Sequence, residues 1–140
     1  MIHLFTEEIK NIMIKHWTVF EGAPNAVKHE NLRVTLGTNR TINLNRVAYE
    51  ALGKPIAVEL RFDQNLLRIG LRATSPELPN AFPLRPKSAS QQRWIAAGAF
   101  LTHFGIDNDV SIAFDKPGID VDGILILDMK KTTIIGRGSR

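Results

Sequence analysis

Short stretches of alternating apolar and polar residues run through the first half of the chain. Residues 32–36 (LRVTL), 57–63 (AVELRFD) and 67–73 (LRIGLRA) each place their apolar side chains on one face. A repeat of two residues is typical of a strand with one buried face. A fourth strand, TINL (41–44), is predicted because it follows the turn sequence GTNR (37–40).

One helix interrupts these strands. Asn45 precedes RVAYEAL (46–52), and asparagine is among the preferred residues for capping the first turn of a helix. Gly53 can end this helix in a left-handed conformation, and Pro55 prevents it from resuming. The first half of the chain is therefore predicted to run strand, strand, helix, strand, strand.

The last two of these strands are predicted to form a hairpin around a turn at residues 63–66. Pairing Phe62 with Leu67 places Leu60 opposite Ile69, and the apolar residues of both strands then share one face. This register is favoured because a shift by a single residue would move one set of apolar side chains into solvent.

The second half of the chain resembles the first. Residues 47–63 align without a gap to residues 99–115 at an offset of 52, with four of the seventeen positions identical and most apolar positions shared. The alignment predicts a helix over residues 95–104 that ends at Gly105, then a strand, a longer turn and a closing strand, ILILD (124–128). Convergence is the alternative, since any helix followed by glycine and a strand looks similar.

The predicted fold is therefore α+β and rich in strands, with two tandem β-β-α-β-β units that form one pseudo-twofold barrel. The units cover residues 28–75 and 76–129. An N-terminal helix or arm (1–27) precedes them, with Met13 as an alternative start, and a basic C-terminal tail (130–140) follows. Four prolines in TSPELPNAFPLRP (74–86) exclude a central strand or a helix from most of that linker. Within the tail, TTII (132–135) could add a further strand or fray.

Charge is distributed unevenly along this pattern. The 140 residues carry a formal net charge of +4, but residues 28–75 hold eight basic and four acidic residues, while residues 81–129 hold four and six. The tail adds four basic residues and no acid. Such asymmetry can attract polyanions, although a solvated basic surface is the simpler interpretation.

Two groups of arginines are the candidate binding residues. The first consists of Arg33, Arg40 and Arg46, around the first strand, its turn and the start of the helix. The second lies on the polar face of the hairpin, where the predicted register opposes two arginines of like charge and a third continues the row: Arg61, Arg68 and Arg72. Arginine side chains hold phosphates well, so both groups are candidates for contact with nucleic acid.

Other chemistry finds little support in the sequence. There is no cysteine, and the four histidines are dispersed without metal-binding spacing. No phosphate-binding glycine loop or G-x-S-x-G nucleophile motif occurs. No apolar run is long enough to span a membrane, and no signal peptide is evident. We expect a cytoplasmic protein that is not an enzyme and has no catalytic residue, metal or cofactor.

The first unit resembles a known family. NRTINLNRVAYEALG (39–53), followed by AVELRFD and LRIGLRA, is similar to the AbrB and MazE-like swapped-hairpin regulators and antitoxins of bacteria. The resemblance covers residues 32–73 and implies a dimeric type of barrel and DNA binding through basic residues of the early strand and turn. Asn45 stands where the family usually has proline, and Asn39 and Arg40 are one residue out of step with its Gly-Arg pair. The same stretch also resembles a set of uncharacterised bacterial proteins, which implies no function.

The leading hypothesis is a non-enzymatic, regulator-like protein that binds double-stranded DNA through basic residues of the first unit. The alternative is a protein-protein interaction or structural module whose basic face meets an acidic protein partner. A third possibility, a small-molecule-binding protein or enzyme, would require a deep pocket between the units. The sequence allows either a monomer or a homodimer.

Overall fold

The computed structural model describes residues 31–137, so the predicted N-terminal helix or arm lies outside the described residues. The described chain forms eleven strands and two short helices. In chain order they are β1 (Val34–Leu36), β2 (Thr41–Leu44), α1 (Arg46–Ala51), β3 (Ala57–Asp63), β4 (Arg68–Thr74), β5 (Phe82–Pro83), β6 (Arg85–Pro86), β7 (Arg93–Ala96), α2 (Gly98–His103), β8 (Val110–Phe114), β9 (Gly118–Ile119), β10 (Leu125–Asp128) and β11 (Thr132–Arg137).

The strands form two antiparallel sheets, called sheet A and sheet B below. Sheet A has six strands in the order β11-β8-β1-β2-β7-β6, and sheet B has five in the order β5-β3-β4-β10-β9. Within residues 31–137 the first and last strands of each sheet do not pair, so neither sheet closes. The strand-rich α+β class is confirmed, and the predicted barrel is corrected to two open sheets.

The buried side chains of both sheets and of the two helices form one continuous hydrophobic core. The burial pattern alternates along β1 and β2, as the sequence pattern predicts for strands with one buried face. The larger side chains with almost no exposure are Leu36, Ile42, Leu44, Ile69, Leu71, Ile95, Leu101, Leu125 and Leu127.

Helix α1 begins and ends as the sequence predicts, to within one residue. The side chain of Asn45 accepts a hydrogen bond from the backbone N–H of Ala48 at 2.9 Å, which satisfies one of the free donors of the first turn. Gly53 follows the helix with a φ of +89°, a conformation that costs glycine little because it has no Cβ.

The β3–β4 hairpin forms, but its predicted register is wrong by two residues. Phe62 lies opposite Ile69 and Leu60 lies opposite Leu71. The turn occupies residues 64–67 rather than 63–66. The carboxylate of Asp63 closes it by accepting hydrogen bonds from the N–H groups of Asn65 and Leu66. Leu67 has a φ of +57° and is exposed in this turn. Because the shift is even, the apolar residues of β3 and β4 still share one face.

Helix α2 is shorter than the predicted 95–104. Ile95 lies in β7 opposite Ile42, because this stretch adds a strand beside β2 in sheet A. Gly105, at the same offset of 52 from Gly53, also has a positive φ, of +67°. The helices and the glycines that follow them therefore correspond in the two halves of the chain.

The second half does not form its predicted closing hairpin. Strand β8 pairs with β1 and β11, while β10, which contains most of the predicted ILILD strand, pairs with β4 and β9 in the other sheet. Strands from the two halves are thus interleaved in both sheets. The duplication itself stays a prediction, because the strand pairing of the two halves differs.

The proline-rich linker and the tail contribute edges to the sheets. Phe82–Pro83 forms an outer strand of sheet B, and Arg85–Pro86 forms an outer strand of sheet A. This agrees with the exclusion of the linker from central strands, since proline lacks the N–H that a central strand must donate. The tail adds β11 beside β8, so Thr132–Arg137 is the added strand that TTII predicted.

Candidate nucleic-acid interface

A shallow groove lies on the face of sheet A that points away from the core. We call this side of the sheet the open face; its central row carries Thr35, Asn43 and Trp94, which lie opposite one another on β1, β2 and β7. The groove has a volume of about 530 Å³. Among the described residues it is lined by Arg33, Thr35, Gly37, Thr38, Asn39, Asn43, Leu44, Asn45, Lys87, Gln92, Ser111 and Ile135.

Arg33 stands at one end of the groove, and its backbone is held there by Asn45. The N–H of Arg33 donates to the side-chain oxygen of Asn45 at 3.1 Å, and the N–H of Asn45 donates to the carbonyl of Arg33, also at 3.1 Å. Since Asn45 also caps α1, the start of the helix and the start of β1 are connected through one side chain. The backbone of the exposed Arg33 is therefore held to Asn45 through both its N–H and its carbonyl.

Lys87 is the second cation of the groove and comes from the segment between β6 and β7. Its N–H donates to the carbonyl of Gln92 at 3.2 Å, and its carbonyl accepts from the hydroxyl of Ser90 at 2.7 Å. These bonds close a tight turn and bring Lys87, which directly follows the proline-rich linker, next to the first unit. Lys87 also borders a smaller depression lined by Asn39, Thr41, Asn43 and Trp94.

Hydrogen-bonding side chains from β2 and the β1–β2 turn form the floor of the groove and of the smaller depression beside it. The hydroxyl of Thr41 donates to the side-chain oxygen of Asn39 at 2.8 Å, and the side-chain amide of Asn43 donates to that hydroxyl at 3.2 Å. Beside them, the guanidinium of Arg85 lies over the ring of Trp94 at 5.5 Å from its centroid. An amide or hydroxyl can donate as well as accept, so this floor can meet phosphate oxygens and base edges alike.

The groove lining contains two cations and no carboxylate among the described residues. An anionic ligand placed there would meet positive charge without a competing acidic side chain. The attraction is modest in water but adds to the hydrogen bonds available on the floor. Of the first arginine group, Arg33 is the member placed at the groove.

The guanidinium of Arg40 makes its polar contacts within the protein. Its guanidinium donates to the hydroxyl of Thr102 at 2.8 Å and to the carbonyl of Ile106 at 3.2 Å, and it lies 3.8 Å from a carboxylate oxygen of Asp107. These contacts connect the β1–β2 turn to α2 and the segment after it. Arg40 is therefore a structural link between the two halves of the chain.

Arg46 lies on the exposed side of α1 and is absent from the groove lining. Its guanidinium donates to both carboxylate oxygens of Glu50, at 3.1 and 3.2 Å, one helical turn further on. Pairs with this spacing stabilise a helix by a few tenths of a kcal/mol.

The second arginine group lies on sheet B and is balanced by acids. The corrected register places Arg61 opposite Gly70 rather than opposite Arg68, so the predicted repulsion is absent. Arg61 donates to Glu59 at 3.2 Å. Arg72 lies opposite the same glutamate in the neighbouring strand.

Arg68 lies between two acidic residues. Asp63 is its partner on β3, and Asp128 is its partner on β10, with 3.7 Å between the Nε of Arg68 and a carboxylate oxygen of Asp128. This face of sheet B therefore pairs each arginine with a nearby acid, in contrast to the groove on sheet A.

Asp128 gives this charge pairing a pH dependence. A hydrogen bond from the backbone N–H of Lys130, together with the charges of Lys130, Arg68 and Lys131, holds its pKa below the ordinary value, and partial desolvation opposes the shift. A lowered pKa in the folded state contributes stability at neutral pH that is lost as the pH falls through the carboxyl range.

We therefore expect the Asp128→Asn variant to unfold at a lower temperature than the unchanged protein at neutral pH, and the difference to shrink below about pH 4. Thermal unfolding measured across a pH series checks this. Asp122→Asn, which alters an exposed turn, serves as the control. A difference in Tm that stays constant down to low pH would contradict the assignment.

Sequence reasoning missed three residues of this face: Arg85, Lys87 and Trp94. Their positions depend on β6 pairing with β7 and on β7 pairing with β2, and neither pairing follows from the local pattern. The available signal was the polar and basic composition of LRPKSASQQRW (84–94) directly after the prolines.

None of the helices within residues 31–137 has the length and apolar content needed to cross a membrane. Over the same range no three histidine or acidic side chains come close enough together to hold a metal ion.

Comparison with protein-family models, with curated proteins and with solved structures gives no match for this chain.

Proposed function

We propose that this chain is a non-enzymatic DNA-binding protein and that the groove on the open face of sheet A is its contact surface. The observation that carries the proposal is the pair of cations, Arg33 and Lys87, on a groove lining without a carboxylate among the described residues. The resemblance of residues 32–73 to the swapped-hairpin regulators supports the same class of ligand and a regulatory role.

The two cations have the role of phosphate contacts. Phosphate oxygens receive most of the hydrogen bonds in protein–DNA complexes, and arginine and lysine are their usual partners. Arg33 and Lys87 stand on different elements, one before β1 and one after β6. A DNA backbone that crosses the sheet could therefore contact both.

The amides and hydroxyls of the floor have the role of orienting contacts. Asn43 and Thr35 project from the middle of the sheet, and Asn39 comes from the β1–β2 turn. Asparagine can bond to an adenine edge, and threonine can bond to phosphates or to bases. The arginines of sheet B are not needed for this surface, because acids already balance them.

The test is a fluorescence-anisotropy titration with labelled duplex DNA across a salt series. We expect binding that weakens steeply with salt, and we expect the double variant Arg33→Ala/Lys87→Ala to reduce the slope of log K against log salt by about 2, since each lost phosphate contact removes roughly 0.9. The matched control is Arg61→Ala/Arg72→Ala, which removes the same charge from sheet B.

Two outcomes would overturn the proposal. Equal losses in the two double variants would show that net charge alone attracts DNA. A lack of binding even at low salt would exclude duplex DNA as the ligand and favour the interaction module with an acidic protein partner.

A further inference from the structure

The two sheets have four outer strands, and three of them are too short to pair with another strand over any length. Strands β5 and β6 are two residues long and end in Pro83 and Pro86, and β9 is two residues long and follows Pro117. Short strands and proline are ordinary means of blocking an edge, because they leave few free N–H groups in a row.

The fourth edge, β11, has none of this protection. It is six residues long, TTIIGR, and contains neither proline nor an acidic residue. Ile134 and Ile135 are 64% and 44% exposed, although isoleucine is usually buried. Within residues 31–137 no strand pairs with the outer side of β11.

The direction of the free backbone groups follows from one hydrogen bond. The N–H of Asp115 donates to the carbonyl of Lys131 at 2.8 Å, so the backbone groups of Lys131 face β8. Because these directions alternate along an antiparallel strand, the N–H and C=O groups of Thr132 and Ile134 point outward. The regular pairing with β8 extends to Ile134, and the register shifts after it. The stretch before this bulge therefore offers two residues that can each donate and accept.

We propose that β11 pairs with β11 of a second copy of this chain, antiparallel, about a twofold axis at Thr133. This register places Thr132 opposite Ile134 of the second copy, and both residues have outward-pointing backbone groups. It forms four backbone hydrogen bonds, and it covers the exposed Ile134 on each side.

Symmetry and backbone complementarity favour a second copy over other occupants, because Thr132 and Ile134 of each chain supply every donor and acceptor of the contact. In this register Lys131 lies opposite Ile135 of the second copy, so the two lysines are separated by four residues, or about 13 Å along the strands. At each end, Arg137 lies only two residues from the position opposite Lys131 of the second copy, so these like charges oppose the contact until salt screens them. A twofold contact of this kind is closed, because both copies use the same edge and neither keeps a free copy of it.

The joined sheet would have twelve strands, with the two grooves on one continuous face. They would lie about 24 Å apart, since five strand spacings of about 4.8 Å separate the two copies of β1. The pairing is inferred from the edge alone and does not depend on DNA being the ligand of the groove.

The first test is sedimentation equilibrium of the full chain over a range of concentrations. We expect a monomer–dimer equilibrium whose dissociation constant rises at least tenfold in Ile134→Lys, because a lysine there places two new charges at the contact. Val121→Lys is the matched control, since Val121 is 99% exposed in the β9–β10 turn of sheet B, whereas β11 belongs to sheet A. A protein that stays monomeric at high micromolar concentration would overturn the proposal, and so would a dimer that Ile134→Lys leaves unchanged.

A second measurement keeps the proposal testable if the lysine variant does not fold. The chain has no cysteine, so Ile134→Cys provides a single site for a nitroxide label. In this register the two copies of residue 134 lie on adjacent strands and two residues apart along them, or about 8 Å between their Cα atoms. The two labels of an edge-paired dimer are therefore expected to show strong dipolar broadening in their electron paramagnetic resonance spectrum. A dimer without this broadening would place the contact on another surface and overturn the proposal.

Discussion

Replacement of Leu127 by alanine is expected to lower the free energy of unfolding by about 2–5 kcal/mol. Leu127 has no exposed surface and lies in β10 opposite Ile69, inside the core that joins the two sheets. Truncation removes its transfer free energy and leaves a cavity that close-packed neighbours fill only in part. Since domains of this size are stable by about 5–15 kcal/mol, the loss is a large share of the total.

Urea unfolding followed by circular dichroism measures this effect. The slope of free energy against urea should stay the same, so that the midpoint alone shifts. Val121→Ala is the control, because Val121 is 99% exposed and its loss should change stability by no more than about 0.5 kcal/mol. Similar results for the two variants would mean that β10 is not part of the core as described.

Arg40 provides the second large effect. We expect Arg40→Ala to lower the free energy of unfolding by about 1–3 kcal/mol, because it removes the charged hydrogen bonds to Thr102 and Ile106. Only 29% of the Arg40 side chain is exposed, so solvent replaces those bonds incompletely.

A glycine substitution at the same position separates the contribution of the side-chain hydrogen bonds to stability from the cost of the backbone conformation. Arg40 has a φ of +66°, a conformation that costs a residue with a Cβ about 1–2 kcal/mol. Arg40→Gly loses the same bonds but removes this cost, so we expect it to be about 1 kcal/mol more stable than Arg40→Ala. Urea unfolding of both variants checks the difference, with Arg61→Ala as an exposed arginine control. Equal stabilities of the glycine and alanine variants would show that the backbone carries no strain there.

Local elements of the first unit could be predicted from the sequence because their signals are local. The cap at Asn45, the turn sequence before Thr41 and the glycine after α1 act over a few residues, and each lies where the pattern placed it. The hairpin register failed because the turn includes Leu67, a residue that rarely adopts a positive φ. Nothing in its side chain indicates that conformation.

Pairing between distant strands could not be predicted in the same way. An alternating strand such as ILILD can pair with any strand that has a matching apolar face. In the structure β10 pairs with β4 rather than with β8. The choice depends on how both sheets pack together, which is a property of the whole chain. The same holds for Ile95, whose helix pattern was overridden by pairing with β2.

Only part of the candidate site could be predicted, because pairing between distant strands brings some of its residues together. Arg33 lies at the groove as a member of the first basic group, because it adjoins a strand that the sequence indicates clearly. Lys87 is 54 residues further along the chain. It reaches the groove because β6 pairs with β7 and β7 pairs with β2, and no local sequence pattern indicates either pairing. The balance of charge on sheet B also depends on pairing between distant strands, because β10 places Asp128 beside Arg68.

Pairing between strands far apart in sequence, such as β10 with β4, also slows folding. Sheet B joins Arg68 to Asp128 across its centre, and sheet A joins Leu36 to Ile112. Contacts so far apart in sequence must overcome a large loss of chain entropy before they gain energy, so proteins rich in them fold in milliseconds to seconds rather than microseconds. During synthesis, β3 and β4 can pair as a hairpin, but the outer edge of β4 stays without its β10 partner until residue 128 has left the ribosome.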